Sequence, residues 1–127
     1  MSDENLGAIA WLDLTVENAQ QTRDFYQQVV GWHAQSVDMD GYQDYAMAPT
    51  KIGEPVAGIC HARGTNADLP AMWLPYFLVK NVEQAAADVK ALGGVLCTQI
   101  KTMGNDRFVV IKDPAGAACA LYEQGSS

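Results

Sequence analysis

The sequence has little positive charge and no long hydrophobic run. Eight Lys and Arg stand against fifteen Asp and Glu in 127 residues, which gives a net charge of −7. A chain of this charge repels phosphate backbones, so nucleic acid and anionic membranes are not expected partners. No stretch approaches the roughly 20 apolar residues of a membrane-spanning helix. The acidic start MSDENLG lacks the basic region of a signal peptide, so we expect a cytoplasmic protein.

Cysteine pairs and familiar catalytic motifs are also missing. Cys60, Cys97 and Cys119 are odd in number, fall in apolar runs and show no CxxC spacing, which predicts buried free thiols rather than zinc or redox chemistry. There is no GxSxG, P-loop or GxGxxG motif. The hydrophobic share of 49% is typical of a folded globular protein, and the length fits one domain. The sequence therefore predicts a compact domain with no cofactor.

What the sequence does have is an internal repeat. A shift of 63 residues aligns the segment that begins at Trp11 with the one that begins at Leu74, and Asn18 then matches Asn81. Each copy reads as a strand followed by a helix. The Asn is placed as the N-cap, and a Gln three residues later is placed for a capping box. The same strand-to-helix unit is therefore predicted twice.

Each predicted helix has apolar residues at three- and four-residue spacing, which indicates one buried face. These residues are Thr22, Phe25, Tyr26, Val29 and Val30 in the first helix, and Val82, Ala85, Ala86, Val89 and Leu92 in the second. Gly31 and Gly93 are placed to end the helices in the left-handed conformation. Three β-prone runs follow each helix. The sequence thus predicts an α+β fold with two βαβββ repeats, about 6–63 and about 70–124, within a single domain 1–127.

Three runs in this order carry a resemblance to a known family. They are FYxxxxGW from Phe25, WLPYFxV from Trp73 and RFxVxxDPxG from Arg107. Together they resemble the glyoxalase-like branch of the glyoxalase/bleomycin-resistance/dioxygenase superfamily, also called vicinal oxygen chelate proteins. The resemblance covers nearly the whole chain and implies a curved mixed sheet around a cleft, and a homodimer. Function stays open, because members include lyases, dioxygenases, epimerases, fosfomycin-modifying enzymes and metal-free bleomycin-binding proteins.

The resemblance also indicates where a metal would bind. In metal-dependent members the first and last strands of each module supply His, Glu or Gln ligands, and the matching positions here are Trp11, Gly58, Leu74 and Ala120. None of these side chains can coordinate a metal. The resemblance therefore implies a metal-free protein. His33, His61 and Glu123 remain as conceivable replacement ligands, with His61 and Glu123 as the fallback pair.

Strand alternation predicts which side chains line the cleft. They are Trp11, Asp13, Thr15, Leu74, Tyr76, Arg107 and Tyr122. Mostly apolar walls with a few polar groups are typical of a ligand pocket. Burial would raise the pKa of Asp13 and make it a usable acid or base, whereas an Arg partner would lower it and leave a structural pair. Asp13 and Tyr76 are the candidate catalytic residues.

Three functions fit these features. The first is a metal-free protein that binds a small apolar or aromatic molecule in the aromatic cleft. The second is a glyoxalase-like lyase or isomerase, which would use a metal held by relocated ligands such as His61 or acid-base chemistry by Asp13 and Tyr76. The third is a dimeric interaction module whose aromatic face closes against another chain. Whether the protein is an enzyme is left open by the sequence.

Overall fold

The structure is a computed structural model that describes residues 5–125. Its helices and longer strands follow the predicted order, and the α+β fold with two βαβββ repeats is confirmed. In chain order the elements are β1 (Ile9–Val16), α1 (Ala19–Val29), β2 (His33–Asp38), β3 (Gln43–Ala48), β4 (Ala57–His61), β5 (Trp73–Leu78), α2 (Val82–Ala91), β6 (Val95–Leu96), β7 (Lys101–Met103), β8 (Asp106–Lys112) and β9 (Ala118–Glu123). The second repeat carries one short strand more than predicted.

The chain divides into two compact units. Residues 11–73 form the N-terminal unit, and residues 74–125 together with residues 5–10 form the C-terminal unit. Within residues 5–125, neither helix has the length and apolarity that crossing a bilayer requires.

In the N-terminal unit the strand order is β2-β3-β4-β1, and β4 pairs antiparallel with β3 and parallel with β1. α1 covers one face of this sheet. The buried core between them consists of Ala19, Tyr45, Met47 and Ile59. Tyr26 of α1 joins it: its hydroxyl accepts a hydrogen bond from Trp73 Nε1 at 3.0 Å, and its ring lies 5.9 Å from that of Trp32.

In the C-terminal unit the order is β5-β9-β8-β6, with β7 also paired to β8. β9 is parallel to β5 and antiparallel to β8. α2 covers one face through a core of Val82, Val109 and Ile111, against which Val79 and Leu121 pack. Each unit is therefore a sheet with its own helix on one side.

Both helices begin and end as predicted. Asn18 Oδ1 accepts a hydrogen bond from the Gln21 amide at 3.1 Å, and Asn81 Oδ1 accepts one from the Gln84 amide at 2.9 Å. The glycine after each helix has a positive φ, +83° and +93° respectively. The return half of the capping box is wrong, since the Gln21 side chain bonds the Asn18 side chain and that of Gln84 bonds Asp88.

The predicted apolar helix faces are only partly buried. Phe25, Val29 and Val30 are each more than half exposed, and so is Leu92 at the end of α2. In the first helix the contact with the sheet is made chiefly by Ala19 and the bulky Tyr26, so the rest of the face stays in solvent. The three cysteines are free thiols as predicted. Their predicted burial is wrong for Cys97, which is exposed, and is only partial for Cys60 and Cys119.

Candidate functional site

The register of the strands places equivalent residues of the two units in the same order. Asp13 pairs with Gly58 across β1 and β4, and Tyr76 pairs with Ala120 across β5 and β9. The predicted equivalence of Gly58 and Ala120 is confirmed. Because side chains alternate along a strand, Asp13 and Tyr76 both lie on the face away from the helix of their own unit.

In the N-terminal unit this face carries a hydrogen-bonded carboxyl group. Trp11 Nε1 donates to Asp13 Oδ1 at 3.1 Å. Cys60 Sγ lies 3.6 Å from Oδ1 and 3.5 Å from Oδ2 of the same carboxyl. Thr15, which pairs with Cys60, is buried on the same face. The structure therefore brings together the three residues that the sequence predicted from β1.

Burial raises the pKa of Asp13 to about 6, while the hydrogen bonds from Trp11 and Cys60 act in the opposite direction and the nearby charge of Asp44 raises it further. Removing a carboxylate from water disfavours its charged form, which explains the sign. The pKa of the Cys60 thiol is also raised by its burial and by both carboxylates, so the thiol keeps its proton at neutral pH. Asp13 can therefore change protonation state close to neutral pH while Cys60 remains a donor.

Gly58 makes this arrangement possible. A Cβ added at Gly58 would collide with Asp13 Oδ1 and lie 3.1 Å from Trp11 Nε1. The carboxyl and the indole thus occupy the space directly above the backbone of β4. In metal-dependent members of the resembled family, the position of Gly58 carries a metal ligand. Here that position has no side chain, and the indole of Trp11 lies next to it.

The residues at the four metal-ligand positions do not fit the metal that metal-dependent members of the resembled family bind. Trp11 and Gly58 offer no coordinating atom, and the same is true of Leu74 and Ala120 in the other unit. Across residues 5–125, His, Cys, Asp and Glu form no group of three or more that could hold a metal ion.

His61, the first fallback ligand, is bound to Asp44 instead. Asp44 is 5% exposed, and its Oδ1 accepts a hydrogen bond from the His61 amide at 2.8 Å. His61 Nδ1 lies 3.3 Å from the same oxygen. The imidazole also packs against the rings of Tyr42 and Tyr45. In this structure the His61 amide holds a second buried carboxyl, and the His61 ring lies against it.

In the C-terminal unit the equivalent face is aromatic. Tyr76 is 4% exposed, and its ring centroid lies 5.7 Å from that of Phe108 and 6.3 Å from that of Tyr122. The Tyr122 hydroxyl donates to Asp106 Oδ2. Burial and this carboxylate raise the pKa of Tyr122 to about 12. Leu74 is buried on the same face as Tyr76, as the alternation predicted.

The predicted position of Arg107 is wrong. Five residues separate Lys112 from Ala118, so each odd-numbered residue of β8 pairs with an odd-numbered residue of β9. Arg107 therefore lies opposite Glu123. The prediction had placed Arg107 on the face of Tyr122, which is occupied by Phe108. Arg107 lies on the α2 side, where it forms ion pairs with Glu83 and Glu123 at 2.9 Å each.

Glu123, the other fallback ligand, holds the start of α2. Its Oε1 accepts a hydrogen bond from the Val82 amide at 2.8 Å. This bond, together with Arg107, lowers the pKa of Glu123. An anion at the first turn of a helix is stabilised by the unpaired amides there, so Glu123 ties β9 to α2.

The sequence reasoning missed Cys60 and Asp44 as members of the site. Cys60 could have been found, because it lies two residues beyond Gly58 and strand alternation returns it to the same face. Asp44 could not, because its position depends on the pairing of β3 with β4, and the sequence gives no register for that pair.

Comparison with known proteins identifies a family. Residues 8–121 match the family model described as the Glyoxalase/Bleomycin resistance protein/Dioxygenase superfamily. The anthracycline biosynthesis protein DnrV of Streptomyces peucetius is 30% identical over 94% of this chain and 48% of its own length. The putative glyoxylase CFP32 of Mycobacterium tuberculosis is 30% identical over 92% of this chain and 44% of its own length. The chain spans about half the length of these relatives.

Solved structures with the same fold have much lower sequence identity. The hypothetical protein BH1468 from Bacillus halodurans C-125 superposes with a TM-score of 0.62 at 12% identity, over 95% of this chain and 96% of that one. Methylmalonyl-CoA epimerase from Mycobacterium tuberculosis gives 0.54 at 15% identity, over 99% and 94%. At such identities the likeness establishes the fold and leaves the activity open.

Proposed function

Because this chain belongs to the glyoxalase/bleomycin resistance protein/dioxygenase superfamily, we propose that it binds a small apolar or aromatic molecule without a metal, at the sheet face that carries Asp13. The observation that supports this most is the Asp13 carboxyl itself, held by Trp11 and Cys60 above the bare backbone of Gly58. A buried polar group beside an aromatic ring is the kind of feature that orients a ligand in an otherwise apolar site.

The metal-free part of the proposal rests on the chemistry of the donors. Two of the four positions that carry metal ligands in other members are Trp11 and Gly58 in the N-terminal unit, and neither can coordinate. The nearest carboxyl, that of Asp13, already receives hydrogen bonds from an indole and a thiol. Asp44 is engaged with His61. Hydrogen bonding to Asp13 is therefore the interaction that we assign to the ligand.

The relatives suggest which molecules to try first. DnrV is named for anthracycline biosynthesis, and one of the structural neighbours is an epimerase named for methylmalonyl-CoA. Aromatic ketones and acyl thioesters both offer a carbonyl oxygen next to an apolar group. Binding of either class by this chain is part of the proposal.

The experiment measures binding of acetophenone and of an acyl-CoA thioester by ligand-observed NMR at pH 6 with a chelator present. Wild-type protein is expected to bind at least one of them. Asp13→Leu, which removes the donor, is expected to weaken that binding about tenfold, the value of one hydrogen bond to the ligand. Glu54→Gln removes an exposed carboxylate of the same unit and serves as the matched control. Binding that disappears with chelator, together with about one metal per chain in the untreated protein, would contradict the metal-free site.

A second candidate is acid-base catalysis by a glyoxalase-like lyase or isomerase. It is favoured by the Asp13 pKa of about 6, since an acid or base works best when its pKa lies near the operating pH. The test is exchange of the α-hydrogens of each probe for deuterium in D2O. Enzymatic exchange should be lost in Asp13→Asn, and Tyr76→Phe tests the second candidate residue. If neither variant changes the exchange rate, the catalytic proposal fails while the binding proposal stands.

A homodimer is the third proposal, and the observation that favours it is the exposed apolar face of α1 formed by Phe25, Val29 and Val30. Burying such residues against a second copy would remove apolar surface from water. Sedimentation velocity should give a dimer for the wild type and a monomer for Val29→Lys, whereas a wild-type monomer would contradict the proposal. We further propose that residues 1–127 act as one domain and that the protein is cytoplasmic.

A further inference from the structure

Two carboxyl groups flank one thiol on the Asp13 face. Asp44 precedes Tyr45, which pairs with Ile59 of β4, so Asp44 lies beside Cys60 on the face away from α1. On the other side of β4, Cys60 pairs with Thr15 of β1, two residues beyond Asp13. The central strand of the three therefore presents Cys60 between the two acids.

The thiol cannot satisfy both acids in their charged forms. Cys60 Sγ lies within 3.6 Å of both oxygens of Asp13, and the pairing of β3 with β4 places Asp44 beside it. A thiol has a single proton to donate. When both carboxyls are ionised, one of them loses this donor and the two negative charges repel each other in a poorly solvated place.

The partners of the two acids differ. Asp44 receives the backbone amide of His61, a donor that cannot be removed by side-chain rotation, and is nearly inaccessible to solvent. Among the described residues of its unit, the groups that act on the Asp13 charge are Trp11 on its own strand, Cys60 on β4 and Asp44 on β3, and none of these is a cation. Asp44 is thus held as an acceptor, while Asp13 has less to stabilise its charge.

We propose, on the premise that the Asp13 face binds a ligand, that Asp44 is a positioning residue that adds to the effect of burial in favouring the protonated form of Asp13, so that the site offers a hydrogen-bond donor to a carbonyl-type oxygen. Acceptor ligands such as ketones and thioesters then bind better when Asp13 is protonated. Their affinity falls as the pH rises through the titration of Asp13. Ammonium groups, which only donate, should show the opposite dependence.

The test follows the Asp13 carboxyl carbon by NMR across a pH titration of the unliganded protein, with the signal assigned by its loss in Asp13→Asn. Replacing Asp44 by Asn removes a negative charge but keeps a side-chain oxygen for the His61 amide. We expect Asp44→Asn to lower the Asp13 midpoint by about 0.5 pH unit or more, since a like charge has been removed. The control Glu54→Gln should leave the midpoint unchanged.

An Asp13 midpoint that stays at the wild-type value or rises in Asp44→Asn, with a native amide spectrum, would overturn the proposal. If that variant fails to fold, His61→Phe provides the second comparison: it keeps the backbone amide and removes both ring nitrogens, of which Nδ1 lies 3.3 Å from Asp44. The midpoint of Asp13 should then rise, because the Asp44 charge has lost a donor that disperses it. A midpoint that does not rise there contradicts the proposed coupling.

A second measurement distinguishes failure of this inference from failure of the proposed function. The acetophenone dissociation constant is measured at pH 5 and pH 8 for the wild type and Asp44→Asn. Wild-type binding should be about tenfold tighter at pH 5, and measurements at intermediate pH should place the midpoint of this change about 0.5 pH unit or more lower in the variant, because its Asp13 loses the proton at a lower pH. If no probe binds, the proposed function fails, while the carboxyl titration still decides whether Asp44 holds the proton on Asp13.

Discussion

The two units build the same framework around opposite chemistry. In the N-terminal unit the residues at three matching positions on the face away from the helix are Asp13, Asp44 and Cys60, and in the C-terminal unit they are Tyr76, Phe108 and Tyr122. In the first set Cys60 hydrogen-bonds to Asp13 and Asp44 lies beside Cys60 by strand pairing, whereas ring contacts join the second set. An aromatic cluster needs only close packing, whereas buried carboxyls cost stability unless they have partners. Because the N-terminal unit keeps polar groups at such a cost, we place the proposed function there.

The largest expected difference between the two faces is in the stability lost when a residue of the aromatic set is truncated. Phe108 is fully buried, so Phe108→Ala should destabilise the protein by about 3–5 kcal/mol through lost contacts and a cavity. Asp44→Asn, at the matching position, preserves the side-chain shape and should cost far less. Urea unfolding of both variants measures this, and equal losses would contradict the division into a structural and a functional face.

The second expected difference between the two faces is in how stability depends on pH. The pKa of Asp13 is raised from 3.8 to about 6, so the folded protein binds a proton more tightly than the unfolded chain. Its contribution to stability is fully present below pH 4 and is lost as the pH rises through 6. Between pH 4 and pH 8 the stability of Asp13→Asn relative to wild type should therefore rise by about 3 kcal/mol. Thermal unfolding across this range measures the change.

Tyr76→Phe, at the position matching Asp13, is the control for this pH series. It removes no group that ionises below pH 8, so its stability relative to wild type should be flat across the range. A flat profile for Asp13→Asn as well would show that Asp13 is not a buried, titrating carboxyl.

A smaller difference in stability is expected between substitutions at Gly58 and at Ala120, the matching positions of the two units. A Cβ at Gly58 collides with Asp13 and crowds Trp11, so Gly58→Ala should cost about 1–3 kcal/mol by overpacking. It should also displace the Asp13 carboxyl and weaken ligand binding. Ala120→Gly, at the matching position, should cost about 1 kcal/mol and leave binding unchanged. Calorimetry with acetophenone compares them, and Gly58→Ala with unaltered binding would remove Gly58 from the site.

Much of the fold could be predicted because it depends on local signals. The repeat, the N-caps at Asn18 and Asn81 and the glycines after each helix need only neighbouring residues to act. The faces of β1 and β5 followed from alternation once their orientation relative to the helix was known. These signals were enough to identify the two modules and to select Asp13.

The predictions were wrong or incomplete where residues distant in sequence determine the position of a side chain. The face of Arg107 depends on how many residues the β8 to β9 turn contains, and a shift of one residue moves every side chain of a strand to the other face. Exposure of Phe25 and Val29 depends on which residues of α1 reach the sheet first. Asp44 joins the site only through the pairing of β3 with β4, so no local pattern could have marked it.

The central claim is that the Asp13 face binds a carbonyl ligand without a metal. The most direct test adds acetophenone to 15N-labelled protein in the presence of a chelator and follows the amide signals. We predict saturable shifts at residues 11–15 and 57–61 that are reduced in Asp13→Leu and unchanged in Glu54→Gln. Shifts confined to other parts of the chain, or equal shifts in Asp13→Leu, would contradict a ligand site at Asp13.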